Sequence, residues 1–229
     1  MTKSKILNLS EWLPIPIDTI KKSLIFGAKD VVKKDIAYNL QYMQYIVKQI
    51  EELQNTSVIT KMLYKNYIIV GMSIVEAIFY SLLKEKDLLA KDCWKKEKVL
   101  ISNEVGFDNV RKRIVSELQI KVDNYEKKVT LSYLIDRAKS KKIIDYNTNK
   151  FDIFNNFRLL RNKIHIYSSD SSSNSDYNQF CEKDYYRMAC IMYLVLKDKN
   201  VTDNNEYLED MFNYLKEYLK NIKLKNDKI

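Results

Sequence analysis

The stretch FRLLRNKIHIYSSD, residues 157–170, holds the only histidine of this 229-residue chain. Arg158, Arg161 and Asn162 precede that histidine, His165, by seven, four and three residues. At about 100° per residue on an α-helix, those offsets bring all four side chains onto one polar seam. Such a group suits cleavage of an RNA phosphodiester. A guanidinium presents a rigid fork of donors to phosphate oxygens and keeps its charge. An imidazole titrates near neutral pH, so it can take a proton from a ribose 2′-OH or return one to a leaving 5′-oxygen. Asparagine can orient the ring or the phosphate. The chemistry needs no metal or cofactor, and one histidine without a carboxylate cluster at ligand spacing offers no metal site. The same four residues also fit an ordinary solvated helix face. The surrounding elements have to decide between the two.

The seam requires a helix from about residue 150 to 166, the span over which its faces separate cleanly at helical spacing. Ile153, Phe154, Phe157, Leu160 and Ile164 share the arc that must face a core. Asp152, Asn155, Asn156, Leu159 and Lys163 lie on the far side, towards solvent. The support for this helix is a longer one. Residues 67–83 read YIIVGMSIVEAIFYSLL, seventeen residues with a single charge. A membrane span wants ~20 apolar residues, and Glu76 falls mid-segment, where a charge is costly. The segment therefore reads as a buried core helix, running from about Val58 to Lys84, apolar all round. A buried carboxylate requires a partner. Arg158 and Arg161 are the candidates for Glu76, either to orient a functional arginine or simply to close a core pair.

Only three glycines and two prolines stand in the chain, with 46% hydrophobic residues, so long helices joined by short polar loops are expected. Pro14 and Pro16 mark an extended or irregular lead-in over residues 1–29 that docks Trp12. Asp35 is a plausible N-cap for a helix to about Gln54 carrying Ile36, Leu40, Met43, Val47 and Ile50. NTS (55–57) ends that helix. Residues 85–128 are charge-rich and weakly periodic, with VGFDNVRKRIVSEL expected to form a short helix. Thr130 is a candidate cap for a helix carrying Leu131, Leu134, Ile135 and Ala138. The polar run 168–178, SSDSSSNSDYN, reads as a loop. Beyond it, one helix carries Cys181, Tyr185, Met188, Met192 and Val195 on a stripe. A last helix carries Leu208, Met211, Phe212, Leu215, Leu219 and Ile222. The expected fold is all-α, a single-domain helical bundle over residues 30–229 with an extended N-terminal lead-in and no strand.

A net charge of +9 leans towards a polyanionic partner. The clusters KKEK (95–98), RKR (111–113) and KSKK (139–142) are suited to an RNA backbone or are solvated helix faces. Three cysteines, Cys93, Cys181 and Cys190, without CxxC spacing fit a reducing cytosol. The opening residues show no secretion signal.

The order Arg158, six residues, His165, with Arg161-Asn162 between, resembles the HEPN superfamily. Its nuclease members are all-helical and carry an arginine, four to six variable residues and a histidine. His165-Ile166-Tyr167 is similar to the HxY ending of the HepT-like toxin branch. In that branch the arginine stands five before the histidine, a position held here by Leu160, so Arg158 and Arg161 both remain open, with Arg158 ranked first. The resemblance covers residues 30–222 in architecture and about ten residues in motif. It implies a metal-independent endoribonuclease that leaves a 2′,3′-cyclic phosphate and a 5′-hydroxyl. It also implies a role in toxin–antitoxin or phage-defence systems, with an antitoxin or regulatory protein as a further partner. Tyr167 stacks a base or accepts a nucleotidyl group in such a reading, or simply packs at the core edge.

General acid–base cleavage wants a proton acceptor and a proton donor. One histidine per chain supplies one of them, so a homodimer with two His165 helices face to face is the economical solution. A monomeric nuclease would use Tyr167 or Lys163 instead. The rival expectations are a non-catalytic module that binds RNA, nucleotide or protein, and a helical DNA-binding regulator. Against the regulator, no compact helix-turn-helix with a glycine turn is found.

Overall fold

A computed structural model describes residues 12–89, 94–107, 110–121, 129–145, 151–162, 179–203, 206–216 and 218. The chain divides into two compact units, residues 1–88 with 131–229, and residues 89–130.

The larger unit is helical: α1 (Ile17–Ser23), α2 (Asp30–Glu52), α3 (Ser57–Glu85), α4 (Leu131–Lys141), α5 (Asp152–Asn162), α6 (Glu182–Leu196) and α7 (Glu206–Met211). It is organised around α3, which contacts α2, α4, α5 and α6. The apolar side chains that run round α3 explain this, because a helix without a polar face is satisfied only when enclosed. Ile68, Met72, Val75, Ile78, Phe79, Leu82 and Leu83 are all fully buried. Among the described residues α3 is the one helix long and apolar enough to cross a membrane, and 61% of its most apolar window is buried inside the protein. Thr56 caps it, its Oγ1 accepting from the amide of Ile59 at 3.4 Å. Gly71 lets two neighbours close on its backbone. A Cβ there would stand 2.8 Å from Cε of Met188 on α6 and 3.4 Å from Cε of Met43 on α2.

The lead-in departs from expectation, since Ile17–Ser23 is helical. Pro16 supplies the preset φ from which a helix can start, and its carbonyl accepts the amides of Thr19 and Ile20. Asp18 in the first turn and Lys21 and Lys22 in the last complement the helix dipole. Trp12 does dock, stacked on Tyr45 of α2 with ring centroids 6.4 Å apart. Ile15 is pinned beside it, donating to Gln44 Oε1 and accepting from Gln41 Nε2.

Helix α2 begins at Asp30, a turn and a half before the expected cap at Asp35. Its N-cap position is Lys29, which makes no side-chain cap. Asp30 instead places a negative charge in the first turn and pairs with Lys21 at 2.7 Å. Ile36, Leu40, Met43 and Val47 are buried as their spacing requires. On α6 the expected stripe buries Tyr185, Met188, Met192 and Val195. Cys181 does not join it: it is the N-cap residue, extended at φ −123°, and its thiol lies exposed. The expected final helix is interrupted, since α7 ends at Met211 and the chain turns at Phe212 and Asn213. Leu208, Met211, Phe212 and Leu215 are buried regardless. Leu219 and Ile222 lie outside the described residues.

The chain is mostly helical, as expected, but the smaller unit departs from the expectation of no strand. It contains β1 (Trp94–Ile101), β2 (Val105–Phe107), β3 (Val110–Lys112) and β4 (Val115–Lys121). Strands β1 and β4 pair antiparallel from Trp94↔Lys121 to Ile101↔Val115, with an irregularity between Lys96 and Lys98. Strands β2 and β3 pair from Val105↔Lys112 to Phe107↔Val110. Where a helix is expected over VGFDNVRKRIVSEL, the described residues instead form the strands β2, β3 and the start of β4. The physical reason is local. Val110, Ile114, Val115 and Ile120 are β-branched, and Leu118 and Ile120 alternate with Glu117, Gln119 and Lys121 at a period of two.

Candidate functional site

Helix α5 carries the seam, and its sequence explains why it stays on α3. Asp152 sits in the first turn, where its charge favours the helix start, and is paired with Lys139 of α4 at 3.3 Å. Phe154 and Phe157, three residues apart, are both buried. Phe154 lies 5.3 Å from the ring of Phe79 on α3 and 4.9 Å from Phe151, which itself stands 6.2 Å from Phe79. These three rings clamp the start of α5 to the central helix.

The clamp is followed by an ionic contact. Arg161 Nη1 donates to Glu76 Oε2 at 2.7 Å, joining the last turn of α5 to the middle of α3. The side chains retain 28% and 32% of their exposure, so the pair is screened on one side by solvent. Of the two arginines open from sequence as partners for Glu76, the structure selects Arg161. Arg158 turns elsewhere: its Nε donates to Asn155 Oδ1, one turn earlier on the same helix, at 3.2 Å. Asn162, the last residue of α5, is exposed.

Arg158, Arg161, Asn162 and Glu76 are thus placed by α5 and α3. His165 and Tyr167 lie outside the described residues, as do Lys163 and the 168–178 run. Sequence reasoning missed Asn155, which helical projection had put on the solvent side. The three-residue spacing from Asn155 to Arg158, within reach on a helix, was the available signal. The basic clusters at 95–98 and 111–113 fall on β1 and around β3, where Lys96 is tied to Glu117 at 2.6 Å. Among the described residues no three of histidine, cysteine, aspartate and glutamate stand where they could hold a metal ion. None of the described seam residues lines the groove bordered by Trp12, Gln44, Lys48, Asp210 and Tyr214.

The arrangement presents two cations and an amide donor along one side of a helix fixed at its start and its end. It can bind an anion, and a proton-transfer group three residues beyond would complete an acid–base site. Comparison with models of known families, with curated proteins and with solved structures finds no match for the chain.

The ion pair has a measurable share in holding α5. Glu76→Gln is expected to cost about 1 kcal/mol once its solvent screening is counted, lowering Tm by roughly 2–4 °C in a chain of this size. Thermal unfolding followed by circular dichroism checks this, and an unchanged Tm would show that Glu76 contributes nothing to the helix contact.

Proposed function

We propose that this chain is a HEPN-like, metal-independent endoribonuclease that works as a homodimer in the cytosol. His165 takes the proton from a ribose 2′-OH as that oxygen attacks the adjacent phosphorus. Arg158, with Arg161, stabilises the charge on the pentavalent phosphate, and Asn162 orients it. The P–O5′ bond breaks, the 5′-oxygen receives a proton from the acid partner, and a 2′,3′-cyclic phosphate remains. The second acid–base group is supplied by His165 of another copy. A toxin or phage-defence role, with a protein that restrains the activity, follows from the same resemblance.

The observation that carries this reading is the seam on α5. Its arginines are half-buried on a helix clamped to the core helix, seven and four residues ahead of the chain's single histidine. An idle surface helix has no need of an arginine tied to a carboxylate placed within an apolar core helix.

The test is an RNA cleavage assay in EDTA with total RNA, tRNA and mRNA, run beside His165→Ala and Arg158→Ala. Wild-type cleavage is expected to survive chelation. Each variant is expected to fall by about 10²–10⁴-fold, the usual worth of an acid–base group or a charge-stabilising donor. Equal cleavage by wild type and variants would remove the reading. Binding without cleavage would replace it with a non-catalytic module for RNA, nucleotide or a protein partner.

A further inference from the structure

The two arginines of the seam are held in different ways. Arg161 is engaged through Nη1 by a carboxylate from another helix, so its charge is balanced where it stands. Any phosphate approaching it meets the negative charge of Glu76 at ion-pair distance and must compete for the same donors. Arg158 is engaged only through Nε, by the neutral amide oxygen of Asn155. Among the described residues no carboxylate pairs with it and its two Nη groups have no partner.

A guanidinium anchored at Nε keeps its outer edge free, and that edge offers two parallel N–H donors spaced to match two phosphate oxygens. The anchor also orders the side chain before any ligand arrives. An arginine must otherwise lose rotamer freedom on binding, which weakens affinity. A neutral anchor does this without cancelling the charge. A carboxylate in the place of Asn155 would order the arginine equally well but would leave nothing for a phosphate to neutralise.

We infer that the two arginines divide the work: Arg158, steered through Nε by Asn155, is the group that takes a phosphate, and Arg161, tied to Glu76, holds the helix that presents it. The division rests on the reading of the seam as a phosphodiester site, and narrows it: the phosphate is left to Arg158 alone, Arg161 acts through the helix, and Asn155 is named as a positioning residue.

The experiment uses the full chain and a fluorescein-labelled, single-stranded 2′-O-methyl oligoribonucleotide. This probe lacks the attacking hydroxyl, so anisotropy reads binding without turnover. Arg158→Ala is expected to weaken binding about tenfold and to reduce the slope of log Kd against log salt by about 0.7, one phosphate contact on a single strand. Asn155→Ala is expected to weaken binding about threefold to tenfold with the salt slope unchanged, since the charge remains and only its ordering is lost. Asn155→Asp keeps the acceptor but adds the opposing charge, so binding is expected to weaken and the slope to fall, with Tm retained. Glu76→Gln is expected to lose more stability than affinity. Wild-type strength in Asn155→Asp would overturn the division. So would a salt slope that falls in Arg161→Gln and not in Arg158→Ala, or failure of the wild type to bind the probe. Binding with the expected pattern but no cleavage of natural RNA removes the nuclease and leaves the division standing. Cleavage with the pattern reversed does the opposite.

Discussion

Phe79→Ala is expected to lower Tm by roughly 10 °C, because truncating a buried aromatic costs about 3–5 kcal/mol in lost burial and residual cavity. Phe79 is 0% exposed, so no solvent can relax into the space its ring leaves. The ring also joins two elements, contacting Phe151 and Phe154 while lying one turn after Glu76 on α3. Its loss removes the clamp at the start of α5 and leaves the Arg161–Glu76 pair as the named contact at the other end. The variant is therefore expected to lose protection of the α5 amides in hydrogen exchange beyond its global destabilisation. Phe79→Leu, which keeps most of the apolar volume, is expected to recover more than half of the Tm. A Tm within about 2 °C of wild type in Phe79→Ala would show that the three rings do not hold the helix, and α5 would have to be anchored from elsewhere.

What could be read from the sequence follows from how each element satisfies its surroundings. Helix α3 was legible because a charge-poor run of seventeen residues with apolar groups on every side is satisfied only inside a protein. Glu76, the sole charge in that run, announced a partner, although projection alone could not choose between Arg158 and Arg161. Phe154 and Phe157 announced the buried side of α5 by their spacing. The sheet was not legible for the opposite reason. Alternation is confined to the five residues from Glu117 to Lys121 in β4, while in β1 the apolar Val99, Leu100 and Ile101 run together after charged residues, so no period of two marks that strand. Lysine and glutamate run through both strands and favour a helix on propensity, which the pairing of the two strands overrides. Asn155 escaped because a projection places Cβ atoms, whereas an arginine side chain reaches round its helix to a residue one turn back. Cys181 was misassigned to a core stripe that begins four residues later, at Tyr185, since position on a wheel does not distinguish a cap from a first turn. His165 and Tyr167, the sequence's candidates for proton transfer and base stacking, lie outside the described residues.

Loss of the fold in alkali is expected to be steep and to coincide with ionisation of a buried tyrosine cluster. Tyr185 is central to it, with its ring 5.1 Å from Tyr64, 4.8 Å from Tyr67 and 6.0 Å from Tyr214. The hydroxyls of Tyr67 and Tyr214 share a hydrogen bond of 2.8 Å. Burial disfavours phenolate in each of them. It pushes Tyr64 up to about 12, and raises Tyr67, Tyr185 and Tyr214 well above the ordinary value of 10.0. In the unfolded chain these phenols ionise near 10.0, so above that pH the unfolded state holds fewer protons than the folded one. Stability then falls as pH rises, by up to about 1.4 kcal/mol per pH unit for each such tyrosine, and the contribution is fully present only below pH 10. A fold worth about 5–15 kcal/mol cannot withstand several of these slopes together, so unfolding is expected before pH reaches about 12. Tyrosinate absorbance near 295 nm should rise in two steps, the exposed rings first and the cluster only with the loss of helical circular dichroism. Tyr67→Phe removes one titrating group. It is expected to cost about 1 kcal/mol at neutral pH through the lost hydrogen bond and to flatten the alkaline limb by about 1.4 kcal/mol per pH unit. If instead the absorbance climbs smoothly to completion while the helices persist, the cluster is open to solvent, and the core between α3, α6 and the C-terminal segment is looser than its ring contacts require.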